Sequence, residues 1–457
     1  MLDLLVSGGT AVLPQGPARA DVGVADGRIA AVGDLSAFPA RQTIDVSGLL
    51  VLPALVDGHV HFNDPGLTER EDFYTGSCAA AAGGVGSVVE MPLSGNPTVT
   101  SVETLEAKKT QAAAKSVVDY GLWGGLVNDN VSQMEAMSQN GALCFKAFTC
   151  FAGNDFPYAN HDVLWRGLVE AGRIGALVGV HCEDEELTSV REKRARAEGR
   201  LTVRSFLEAH APETEELAVA GLLVMARRAG ARVHVCHATL AEVVDIVTEA
   251  KKHQPATVET CPHYLVFNES DLERLGGELK CTPAIRTAAD VERLWDRVLS
   301  GKVDMICSDH SPSTIPQKNP LSGCFWDAWG GTEGVQTTLS VLYGEGVAKR
   351  GMSLTQLVQL LCEGPAKVFG LFPQKGQLAL GSDGDLTLFD PNARWTVTPE
   401  ALFYKNRHSP YMGMELCGKV KTTIVRGTVV YDGNKVLAPA GFGRLLSRQS
   451  GGAGADK

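Results

Sequence analysis

Four histidines, one aspartate and one lysine carry the chemistry open to this sequence. The run Asp57-Gly58-His59-Val60-His61 sets two imidazoles two residues apart, and in an extended strand that spacing turns both to one face. His181 lies near the end of the apolar run ALVGVHC, His237 follows VHVC, and Asp309 follows DMICS. Neutral imidazole is the commonest ligand for divalent transition metals, and carboxylate oxygen complements it. Any one of these residues alone reads as an ordinary surface or core side chain. Their recurrence at the ends of separate apolar runs is what points to metal.

Lys146 stands among apolar neighbours in ALCFKAF. A buried, unpaired ammonium is costly and tends to lose its proton. Either the amine snorkels or pairs with an acid, or it captures carbon dioxide as a carbamate (N6-carboxylysine), whose two oxygens can bridge two cations. Beside four histidines and Asp309 the carbamate is the stronger reading. His59, His61 and Asp309 then hold one ion, and His181 with His237 the other. Zinc fits the donors best, while manganese, cobalt and iron also accept nitrogen and oxygen.

Such residues need a scaffold that gathers strand ends. Eight short apolar runs, at 55–61, 86–92, 119–127, 142–148, 176–182, 232–238, 256–262 and 304–310, alternate with helix-patterned stretches such as 102–115, 215–230, 241–252 and 288–301. Regular β/α alternation predicts a parallel sheet, and eight units over residues 54–374 predict a TIM-type (β/α)8 barrel. No GxGxxG or Walker loop supports an open doubly wound sheet.

Residues 1–53 and 375–446 read differently, as short strands with hairpin signals such as Asp26-Gly27. Each piece is too small to bury a core alone, so together they predict one small β-sandwich interrupted by the barrel. The stretch 311–334 is rich in Pro, Gly, Ser and Asn and follows the eighth strand. It reads as a surface loop or, from its place at the barrel mouth, as a lid or substrate wall. Residues 447–457 are expected to form a flexible tail.

Composition removes other classes. The 457 residues carry 42 Lys+Arg against 53 Asp+Glu, a net charge of −11, with no basic run; a nucleic-acid partner is not expected. No apolar stretch approaches the ~18–20 residues of a membrane span. The eleven cysteines form no C-x-x-C pair and lie mostly in apolar runs, which predicts reduced core residues. With no signal pattern and a C-terminal Ala-Asp-Lys in place of a peroxisomal address, a cytoplasmic location is expected.

The chain resembles the cyclic amidohydrolases of the amidohydrolase superfamily, and among them the allantoinases. The likeness runs through VLPALVDGHVHFNDPG, EMPLSGNPT, FKAF, HCED, HVCHAT, TCPHYL, KCTPAIR, SDHSP, AWGG and KNRHSPYMG. It implies that His59, His61, carbamylated Lys146, His181, His237 and Asp309 hold two divalent ions. Asp309 would also act as general base and acid, taking a proton from a bridging hydroxide and giving it to the leaving nitrogen as allantoin opens to allantoate. It implies a small-molecule substrate, a place in purine breakdown and a homotetramer.

Substrate contacts are expected from Asn63, Ser94, Cys281 and Ser311, with Trp329-Gly330-Gly331 on the substrate side. Dihydroorotases carry Arg after the H-x-H-Leu unit and Asn-Thr after Met-Pro; here stand Phe62-Asn63 and Leu93-Ser94, which removes a clamp for a substrate carboxylate. Asn63 suits neutral ureido and imide edges, or shapes the turn Asn63-Asp64-Pro65-Gly66. Allantoinases usually have Asn where Ser94 stands and often Cys where Ser313 stands. Hydantoinase, dihydropyrimidinase or dihydroorotase activity is the alternative, and a noncatalytic scaffold of the same fold the alternative from another class.

Overall fold

The computed structural model describes residues 1–448. The first 53 residues form seven strands: β1 (Leu2–Ser7), β2 (Thr10–Leu13), β3 (Gly16–Arg19), β4 (Asp21–Ala25), β5 (Arg28–Gly33), β6 (Ala40–Asp45) and β7 (Leu50–Pro53). Asp26 and Gly27 both take positive φ, 51° and 75°. That is the two-residue turn whose twist matches paired strands, and it joins β4 to β5 as the Asp-Gly signal predicts.

The next eight strands are β8 (Leu55–Val60), β9 (Val85–Glu90), β10 (Asp119–Gly125), β11 (Ala142–Phe148), β12 (Leu177–His181), β13 (Arg232–Val235), β14 (Ala256–Thr260) and β15 (Met305–Ile306). They pair in sequence order, all parallel. A parallel bridge from Val60 to His310 and the His61 N–H bond to the His310 carbonyl, 2.7 Å, close the ring. All eight runs read as strands are the eight staves. The eighth is shorter than its run: regular strand stops at Ile306, because the chain turns out to the mouth, with Asp309 at φ 46°.

Helices cover the barrel where the 3.6-residue pattern predicts them. Val102–Lys115 starts at a Ser101–Thr104 capping box and buries Leu105, Lys108 and Ala112. Ala288–Leu299 starts at Thr287 and buries Val291, Leu294, Trp295 and Val298.

After the barrel come β16 (Leu386–Thr396), β17 (Glu415–Val425) and β18 (Thr428–Tyr431). They join N-terminal strands in one six-stranded sheet, β18-β17-β16-β7-β2-β3, next to the four-stranded sheet β5-β4-β1-β6. Leu4, Val22, Val24, Val51, Leu386, Leu388 and Ile424 fill one buried cluster drawn from both sheets. The two ends of the chain thus complete one another, since β7 gains β16 as a neighbour across Leu50–Pro53.

Residues 376–385 depart from the strand pattern that their sequence suggests. They form turns, with Gly376 and Gly381 at φ 89° and 87°, and the carboxylates of Asp383 and Asp385 are committed to Lys375. Ten of the eleven cysteines are buried and all are free thiols. No helix among the described residues is long and apolar enough to cross a membrane. The expected tail, 447–457, lies outside the described residues from 449 onward.

Candidate active site

The floor of the site is a packed barrel interior. Trp123 of β10 is fully buried, its indole N–H donates to the Gly58 carbonyl at 3.1 Å, and Phe369 meets it edge-on at 5.4 Å. Gly58 of the H-x-H strand has no room for a side chain: a Cβ would come within 2.2 Å of the Phe369 ring. Asp57, on the same face as His59, accepts from the Ser308 amide at 3.2 Å and fastens β8 to the eighth strand. Burial raises its pKa to about 6.

Above this floor the strand ends deliver the ligand-type residues. His59 and His61 project together, ring centroids 5.4 Å apart. Asp309 Oδ1 lies 3.2 Å from His59 Nε2 and 3.4 Å from His61 Nε2. His181 Nδ1 faces His237 Nε2 at 3.1 Å. Lys146, on β11 between these pairs, is completely buried and its Nζ has no hydrogen-bond partner; the Phe148 ring lies 5.1 Å away. All six residues line one cavity of ≈ 120 Å³.

Backbone strain concentrates here. Among the described residues six that are not glycine have positive φ, and four are Asn63, Ser94, His237 and Asp309. The other two, Asp26 and Arg426, occupy two-residue hairpin turns. Such conformations cost about 1–3 kcal/mol each and persist where surrounding structure enforces them.

The donor set fits divalent metal. The donor atoms of His59, His61 and Asp309 lie within 4.8 Å of one another, a spacing that one cation spans. Burial, the largest influence, pushes the pKa of His59, His181 and His237 down, toward the neutral imidazole that metal binding requires. Burial acts to raise the pKa of Asp309, but His59, His61 and His263 outweigh it and hold the carboxylate at about 2. Lys146 Nζ, His61 Nδ1 and His237 Nδ1 are buried without partners, which is unusual unless a group completes them.

Three carboxylates or imidazoles escape sequence reading. Glu259 of β14 accepts from His59 Nδ1 at 2.5 Å, which leaves Nε2 facing Asp309, and also meets the His237 amide and His234. Glu183 holds His181 Nε2 at 2.8 Å and His210 Nδ1 at 2.6 Å, fixing the His181 ring with Nδ1 toward His237. His210 lines the cavity. A signal was available for Glu259, a carboxylate inside the apolar run ATVETCP, and for Glu183 in HCED; nothing local marks His210.

Of the residues expected at the substrate, Ser94, Cys281 and Ser311 line the cavity, as do Trp329, Gly330 and Gly331. Asn63 does not. It is wholly buried, and its amide donates to the His61 carbonyl at 3.1 Å within the turn. Ser313 is also buried away from the cavity, its N–H on Glu333 and its carbonyl on His408.

Residues 50–430 match the amidohydrolase family. The chain belongs to that family. The amidohydrolase is 42% identical over 451 residues to the allantoinase of Deinococcus radiodurans, covering 98% of this chain and 99% of that protein. It is 41% identical to the allantoinase of Rubrobacter xylanophilus, covering 96% of each. Among solved structures it superposes on the L-hydantoinase (dihydropyrimidinase) of Arthrobacter aurescens with a TM-score of 0.95 at 33% identity, covering 98% of this chain and all of that one.

Proposed function

We propose that this amidohydrolase hydrolyses the cyclic amide bond of allantoin to give allantoate. The chain spans nearly the full length of relatives named allantoinase, and its cavity suits the neutral ring. Ligand-type side chains line the cavity above its packed floor, and among the described residues neither an arginine nor any lysine except Lys146 lines it. A substrate carboxylate would find no guanidinium or ammonium clamp there beyond the ligand-type residues, which weighs against dihydroorotate.

Two divalent ions, zinc by donor preference, would be held by His59, His61 and Asp309 and by His181 and His237, with Lys146, as its carbamate, supplying oxygen donors to the pair. Such ions, when bound, activate water and polarise the scissile carbonyl. Asp309 accepts the proton of the attacking water and delivers it to the ring nitrogen; a C–O bond forms and the C–N bond breaks. Glu259 and Glu183 keep His59 and His181 in one tautomer and orientation. Ser94, Cys281 and Ser311 flank the ring, and Asn63 acts by holding the His61 turn.

A homo-oligomer, a tetramer by resemblance, belongs to the same proposal. Trp165 and Val169 on one helix and Leu217 and Val224 on another leave 39–56% of their surface exposed, apolar area that a second copy could cover. The cytoplasm is its proposed location.

The test is turnover of allantoin, hydantoin and dihydroorotate by protein reconstituted with zinc, manganese or cobalt plus bicarbonate, with metal content assayed in parallel. Allantoin alone should be opened. Preference for hydantoin, the second reading favoured by the structural likeness to an L-hydantoinase, would move the substrate assignment and keep the chemistry. Two ions per chain with no turnover of any ring would favour a scaffold.

A further inference from the structure

The Pro- and Gly-rich stretch after the eighth strand forms one side of the cavity, through Ser311, Trp329, Gly330 and Gly331. Its backbone is held from behind by buried cations. Lys280 Nζ donates to three carbonyls, Phe325 at 3.0 Å, Trp326 at 2.8 Å and Ala328 at 2.7 Å. Lys318 Nζ donates to the Gly331 carbonyl and reaches that of Trp329 at 3.4 Å. Only 6% of Lys280 and 1% of Lys318 is exposed. Burial draws the Lys280 pKa down to about 8, so the ammonium persists at neutral pH.

Backbone bonds add to this frame. The Gly331 amide donates to the Lys280 carbonyl at 2.8 Å and the Trp329 amide to that of Gln317 at 2.8 Å. Gly331 sits at φ 151°, where a Cβ would meet Ser311 Oγ at 2.4 Å. From the far end of the chain, His408 donates Nε2–H to the Ser313 carbonyl and Nδ1–H to Glu278, each at 2.9 Å. An ammonium has three donors, and three carbonyls saturate Lys280. Burying that charge is costly, and in return the loop has one backbone path.

We infer that Lys280 and Lys318 are positioning residues for the substrate, fixing residues 325–331 as a preformed wall. Neither touches the ring. Their role rests on the ring-opening reading, in which Cys281, Ser311 and Gly330-Gly331 must face the bound ring at one distance from the ligand residues. Displacements near 1 Å in such a surface cost up to about 100-fold. Removing one cation therefore weakens substrate binding and leaves His59, His61, Lys146, His181 and His237, which hang from other strands, undisturbed.

The experiment uses the full chain reconstituted with zinc and bicarbonate. Lys280→Met should raise KM for the ring that the wild type turns over by about tenfold, with kcat changed much less and metal content equal to wild type. Lys318→Met should do the same, and covers the case in which Lys280→Met does not fold. Hydrogen exchange on ligand-free wild-type protein is an independent readout: the Trp329 and Gly331 amides should be strongly protected before any substrate is added. Wild-type KM in both variants, loss of metal from them, or fast exchange at Trp329 and Gly331 overturns the inference. Failure of the allantoin assignment is read separately, because the KM test follows whichever ring is opened and the exchange test needs none.

Discussion

Lys375 and Lys146 are both buried at ends of the same barrel, and their surroundings differ. Lys375 lies beneath the N-terminal ends of the strands, with Asp385 at 2.5 Å, Asp119 at 2.7 Å and Asp383 at 2.9 Å, while Arg426 shares Asp119. Lys375, Asp119, Asp383 and Arg426 border a cavity of ≈ 370 Å³, larger than the one at the mouth. Lys146, at the mouth, has no carboxylate partner among the described residues, and the Phe148 ring lies 5.1 Å away. Cavity size would have chosen the wrong end. Unpaired buried atoms mark the mouth instead, because a structural ion cluster satisfies its members whereas a site keeps donors free for what it binds.

Three substitutions would break or sharpen that contrast. Asp309→Asn removes the proposed proton carrier and metal ligand at the mouth; kcat should fall by about 10³-fold or more with thermal stability little changed, as read by steady-state assay and melting. Retained activity would remove Asp309 from the chemistry. Lys375→Met leaves three carboxylates around an uncharged side chain, so stability should drop by about 3–5 kcal/mol in denaturant titration, while the folded fraction keeps wild-type kcat. A loss of turnover per folded molecule would mean that the two ends are coupled. Glu259→Gln weakens the partner of His59, and metal affinity should fall by about 10- to 100-fold in competition with a chelator, with kcat recovering at saturating metal; unchanged affinity would make Glu259 a packing residue.

Much of this contrast is readable in the chain. Alternation placed all eight barrel strands, and Val102–Lys115 has the bounds that its pattern predicts, since periodicity and caps act over a few residues. The ligand-type residues are legible for the same reason: a strand of period two aims His59 and His61 together, and a barrel gathers strand ends. Asn63 reads equally well as a substrate contact or a turn former, and only its burial under His61 decides for the turn. Residues 376–380 read as the first arm of a hairpin, yet they form turns beside Asp383 and Asp385, which pair with Lys375.

The sequence by itself therefore determined the barrel, the terminal β-sheets, the ligand-type side chains that the strand ends gather and the chemical class of the site. Tertiary structure alone decided that Glu259 and Glu183 orient the histidines, that Asn63 stays off the cavity, and that Lys280, Lys318 and His408 hold the loop after the eighth strand. The physical reason is range. Strand direction and helix period are set by neighbours along the chain, whereas a lysine that collects carbonyls 45–48 residues away, or a carboxylate 200 residues from its histidine, gains its role only when folding brings the partners within hydrogen-bond distance.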